Sequence, residues 1–156
     1  MQLRRKPVLF LDENMRSEAI IVPARSYDDW EIELYGDHFD QGRNDEELTA
    51  FCGPRGWSIV SADDDFRYNN ECKSHIRQYR IHVFTMVLPR SIHVAKIGSG
   101  LVRAHDEILK IAKKDGACGL CAHIRLNGGV EVMTRFDLAG GLTEKQRRTM
   151  NKYGRV

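Results

Sequence analysis

Short apolar runs that stop at acids constrain this chain more than any other feature. Pro7-Val-Leu-Phe-Leu11 is apolar throughout and ends at Asp12, Glu13 and Asn14, and Trp57-Ser-Ile-Val-Ser61 runs in the same way into Asp63, Asp64 and Asp65. An apolar run too short for a helix, with no polar alternation, marks a strand covered on both faces, as in the middle of a parallel sheet. Parallel strands need right-handed crossovers, and these leave the carboxyl ends of the strands together along one edge. Both acid clusters are therefore expected at the same edge of one sheet.

The remaining segments supply the crossovers. A short helix is expected over roughly Met15 to Val22, closed by Pro23. Trp30, Ile32 and Leu34 alternate with Glu31, Glu33 and Tyr35, the period of a half-exposed strand, and 36–43 is a polar loop. Asn44-Asp-Glu-Glu47 opens a helix with an Asn cap and acids through its first turn, and Gly53-Pro54 is expected to end it. From Phe66 the chain is weakly helical. Ile81 to Met86 is a further strand, stopped near Pro89. Ile97, Leu101, Ala104, Ile108 and Ile111 recur at helical spacing and predict one helix. Leu120 to Leu126 and Val130 to Thr134 flank Asn127-Gly128-Gly129, a hairpin signal. The fold class is thus α/β: a three-layer α/β/α sandwich with a mostly parallel central sheet and a C-terminal antiparallel hairpin. A chain of 156 residues has the length of one domain. That domain is placed over 1–136, with a basic C-terminal tail over 137–156.

Charge divides the chain more sharply than its net value of +2 suggests. Between Asp12 and Glu71 there are 16 acids and five bases, a balance of −11, and from Cys72 onward there are 16 bases and six acids, a balance of +10. An acidic half suits a cation and a basic half suits phosphate, so together they point to a polyanion handled through a metal. Arg90, Arg103, Lys110 and Lys113 are the candidate RNA-binding bases. No apolar stretch is long enough to span a membrane, and the basic start Arg4, Arg5, Lys6 precedes only a short apolar run. The expectation is a cytoplasmic protein with no membrane partner. Cys52, Cys72, Cys118 and Cys121 are expected to be reduced, with Cys118-x-x-Cys121 read as small buried side chains rather than half of a zinc site.

Asp12, Asp45, Glu46, Asp63 and Asp65 are the candidate catalytic and metal-ligating residues. Carboxylates crowded at one edge repel one another unless a hard divalent cation neutralises them, and Mg2+ or Mn2+ is the expected ion. Such a site suits metal-assisted hydrolysis of a phosphodiester and needs no Ser, Cys or His nucleophile. Asn14 is expected to cap the following helix, with orienting a phosphate as the alternative, and Glu47 serves only the helix N-terminus.

The segments Leu9-Phe-Leu-Asp-Glu-Asn14, Asn44-Asp-Glu-Glu-Leu48 and Ile59-Val-Ser-Ala-Asp-Asp-Asp-Phe66 together resemble the PIN-like nucleases related to VapC toxins, over about 7–134. The resemblance implies that Asp12 is the central metal ligand, Asp45 or Glu46 the helix carboxylate, and Asp63 with Asp65 the remaining pair. Ser61 stands where the family often has threonine and is expected to support a ligand carboxylate or the water. It further implies a Mg2+- or Mn2+-dependent endoribonuclease, the toxin of a toxin–antitoxin pair, with RNA as substrate, a cognate antitoxin as partner, and a homodimer as assembly. The alternative is a catalytically silent PIN-like module acting through a protein partner. A receiver-type switch fits less well, because Leu88-Pro89 stands where it wants Lys-Pro. A haloacid-dehalogenase-type phosphatase wants an aspartate where Asn14 stands.

Overall fold

In the computed structural model, which describes residues 6–113 and 118–136, six strands form one sheet in the order β2-β1-β3-β4-β5-β6. They are β1 (Val8–Leu11), β2 (Glu31–Leu34), β3 (Ser58–Ser61), β4 (His82–Met86), β5 (Gly119–Ile124) and β6 (Val130–Phe136). The first five run parallel, and β6 returns antiparallel beside β5. The expected tail over 137–156 and Lys114 lie outside the described residues.

The layers follow from alternation along the buried strands. Leu9 and Leu11 face one side with Val60, Phe84, Leu101 and Ile108, while Phe10 faces the other with Ile59, Val83, Leu48 and Ile76. Helices α1 (Glu18–Ala24), α4 (Val94–Arg103) and α5 (His105–Ala112) cover the first face, and α2 (Asp45–Arg55) and α3 (Asn70–Tyr79) the second. Each large apolar side chain fully buried in this way contributes about 1.5–3 kcal/mol. The three-layer α/β/α class is therefore as the sequence predicts. Among the described residues no helix is long and apolar enough to cross a membrane, and all four cysteines are free, Cys52, Cys72 and Cys121 being buried.

Several elements differ from the sequence expectation. The helix predicted through Ile97 to Ile111 is two, joined at Ala104, which closes α4 and opens α5. Ile97, Leu101, Ala104 and Ile108 stay buried on both sides of the break, so the apolar stripe continues across it and gives no local sign of it. Helix α2 passes Pro54 and stops at Gly56, whose φ of 69° supplies the left-handed cap. Proline in a last turn removes only one hydrogen bond, and the glycine, free of a Cβ, makes the turn that ends the helix. Gly98 belongs to a packed interface: a Cβ there would collide with the carbonyl oxygen of Ala19, so its absence lets α1 and α4 approach.

Sheet order positions the site. The chain leaves β1 to form β2 on one side and then crosses back to place β3 on the other. Connections that diverge in this way open a crevice at the carboxyl ends of the two central strands. Asp12 follows β1 and Asp63 follows β3, at that crevice.

Candidate metal centre

Asp12 is fixed before any ligand arrives. Its side chain is 6% exposed, with Oδ1 accepting from Glu13 N at 2.7 Å and Oδ2 from Ser61 Oγ at 2.7 Å. Ser61 ends β3, and its oxygen also accepts from Asn14 Nδ2 at 3.2 Å and Asp63 N at 3.0 Å. Asn14 Oδ1 takes Ala62 N at 3.1 Å, so this one asparagine ties the end of β1 to the end of β3. It does not cap α1; Ser17 does, accepting from Ala19 N. Burial pushes the Asp12 carboxyl above its ordinary range, and the hydrogen bonds from Ser61 and Glu13 pull against that.

Three further carboxylates converge beside it. Asp45, Asp63 and Asp65 each offer an oxygen, and these oxygens lie within 4.8 Å of one another. Asp63 and Asp65 are spaced by a turn in which Asp63 Oδ1 accepts from Asp65 N at 3.0 Å. Asp45 stands at the start of α2, which Asn44 caps by accepting from Glu47 N at 3.0 Å. Partial burial, then the charges of Asp63, Asp12, Asp65 and Glu46, push the Asp45 carboxyl up to about 7. The charge of Asp63 is the main cause that raises Asp65. No described lysine, arginine or histidine pairs with Asp45, Asp63 or Asp65.

The donor set fits a hard divalent cation. It is all carboxylate oxygen, partly desolvated, and uncompensated by any cation of the described residues. Oxygens sharing an ion at about 2.1 Å lie no more than about 4.2 Å apart, so these are at that spacing or a small side-chain rotation from it.

The other acids of the motifs turn elsewhere. Glu46 accepts from Asn69 Nδ2, the cap of α3; its own backbone N–H and then Asn69 hold it below the ordinary glutamate range. Successive residues at a helix start point about 100° apart, so Asp45 and Glu46 cannot both face the crevice. Asp64 accepts from Arg67 Nε at 2.9 Å and approaches His123 Nε2 at 3.0 Å. Glu13 accepts from Gly42 N at 3.1 Å and so draws the loop before α2 toward the end of β1. The candidate RNA-binding bases are all exposed but do not share an edge. Arg90 follows β4 at the carboxyl edge, and Arg103 packs at the β5–β6 turn beside Gly128. Lys113 acts on Asp29, which precedes β2 at the amino edge.

The chain belongs to the PIN-like domain family, whose model matches residues 7–87. The matched stretch carries all of Asp12, Asp45, Asp63 and Asp65. PIN-like domains are typically nucleases and generally use divalent metals. No curated protein and no solved structure matches the chain.

Proposed function

We propose that this PIN-like domain is a Mg2+- or Mn2+-dependent endoribonuclease related to the VapC toxins, acting as the toxin of a toxin–antitoxin pair. The observation that carries the proposal is the meeting of Asp45, Asp63 and Asp65, from two separate elements, beside buried Asp12, with no cationic side chain of the described residues paired to them. Asp45, Asp63 and Asp65 would hold the ion, with Asp12 beside them as a further carboxylate. Such an ion, when bound, supplies hydroxide at neutral pH and polarises a phosphoryl oxygen.

The chain's own groups do the rest. Ser61 and the Glu13 N–H keep Asp12 in one orientation, and Asn14 keeps the two strand ends in register. Arg90 and Arg103, both exposed, would meet the phosphates of an RNA backbone. The cognate antitoxin and a homodimer belong to the same proposal.

Cleavage of mixed structured RNAs in Mn2+ tests it. The expected result is cleavage that EDTA stops and that Asp12→Asn abolishes while circular dichroism shows the fold intact. Retained cleavage by that variant, in a preparation free of contaminating nuclease, contradicts the proposal. Thermal stabilisation by Mn2+ without turnover of any RNA would favour the silent binding module instead.

A further inference from the structure

The acid that the metal cluster leaves out, Asp64, organises the residues next to it. It accepts from Arg67 Nε at 2.9 Å and meets His123 Nε2 at 3.0 Å, so the guanidinium is clamped from behind. Arg67 then lies over the ring of Tyr68, 4.5 Å from its centroid. Tyr68 is 63% exposed, among the few large apolar side chains of the described residues left in solvent. Its backbone is tied to the metal cluster, because Tyr68 N and Asn69 N both donate to Asp65 O, at 3.0 and 3.1 Å. Three residues along a 3-10 turn advance about 6 Å, comparable with the reach from a backbone phosphate to its own base.

A flat ring backed on one face by a fixed cation and open to water beside a phosphodiester-cleaving site matches how proteins hold unpaired bases. Stacking on an aromatic face, with arginine adding a cation–π term, tolerates any base but requires that it be out of a duplex. Accordingly, we infer that Tyr68, backed by Arg67, is a stacking platform for the base of an unpaired nucleotide bound next to the acid cluster. The inference rests on the ribonuclease reading above. Nothing comparable surrounds the other exposed apolar residues, Val22 on α1 and Val87 after β4.

The test uses the whole chain and one oligoribonucleotide carrying 2-aminopurine at successive positions, single-stranded or annealed to its complement. In EDTA, where binding is read without cleavage, the wild-type protein should quench fluorescence at one or two adjacent positions of the single strand and at none of the duplex. Tyr68→Ala should remove that quenching, and Tyr68→Trp should retain it. In Mn2+, Tyr68→Ala should raise KM about tenfold or more, with kcat changed far less, while Val22→Ala changes neither. Equal quenching by wild type and Tyr68→Ala, equal quenching of strand and duplex, or no quenching at all overturns the platform. Failure of the wild type to cut any RNA overturns the nuclease reading. If the quenching still depends on Tyr68 in that case, the platform stands as a binding site on a silent domain.

Discussion

Two acidic clusters sit at opposite edges of the same sheet and are treated in opposite ways. At the amino edge, Asp29 precedes β2 and Asp106 lies in the first turn of α5. His105 stands between them, with Nε2 2.6 Å from Asp29 Oδ1 and Nδ1 3.0 Å from Asp106 Oδ1. The imidazole thus spans two carboxylates from different elements. The ring is packed face to face on Tyr27, with centroids 3.9 Å apart, and edge-on to Trp30 at 4.7 Å. At the carboxyl edge, Asp12 accepts from Glu13 N and Ser61 Oγ and Asp63 accepts from Asp65 N, and none of Asp12, Asp45, Asp63 and Asp65 has a histidine, lysine or arginine partner among the described residues. The electrostatic consequence is opposite too: the His105 hydrogen bond holds the Asp29 carboxyl below its ordinary range, while burial and neighbouring acids push Asp45 up to about 7. Acids bracketing a packed imidazole are architecture, and acids with no basic partner among the described residues are a place for a cation from solution.

The largest effect on stability should come from removing the bracketed imidazole. His105→Ala takes away both carboxylate bonds and the aromatic stack, and should destabilise by about 3 to 4 kcal/mol, close to 10 °C in Tm for a domain of this size. Thermal melts check this. Cleavage per folded molecule should not change, and a variant that melts normally would show that the amino-edge cluster is not structural.

Next comes another histidine of the amino edge. His82, the first residue of β4, is buried, and its Nε2 has no hydrogen-bond partner among the described residues. Burial lowers its pKa from 6.5 to about 4. A base whose folded value is depressed takes up its proton more readily when unfolded, so its contribution is intact above about 6.5 and is lost as pH falls toward 4. The loss should reach about 3 kcal/mol. Denaturant titrations from pH 7 to 4 should show it, and His82→Leu should flatten that part of the curve.

The smallest effect has the opposite sign. Asp45 has a folded value above its unfolded one, so its contribution is present below about pH 4 and is lost as pH rises through 7. Asp45→Asn should therefore raise the Tm of the metal-free protein at pH 8 by a few degrees and leave it nearly unchanged at pH 4. A variant that melts lower than wild type at pH 8 would mean that Asp45 is already compensated.

Much of this was legible because buried strands and acids are local signals. The run Val8–Leu11 ending at Asp12, the Asn44 cap before Asp45, and the Asn127-Gly128 turn each declare themselves within a few residues. What was not legible depends on rotation and distance. Helical phase alone sends Glu46 to Asn69 and Asp45 to the crevice. The turn after β3 sends Asp64 to Arg67 and His123 while leaving Asp63 and Asp65 together. Lys113 sits at the far edge because α5 carries it there, although its charge resembles that of Arg90 in the sequence. The histidine bracket joins residues 76 positions apart, and no spacing rule reaches that far.

Calorimetric titration of Mn2+ into the chelator-treated protein at pH 6.5 measures metal binding by this cluster directly. Binding at one or two ions per chain, accompanied by proton release as Asp45 gives up its proton, and lost in Asp63→Asn without loss of fold, is the expected result. No binding, or equal binding by wild type and by a protein lacking Asp45, Asp63 and Asp65 together, would show that these acids tolerate one another without a metal.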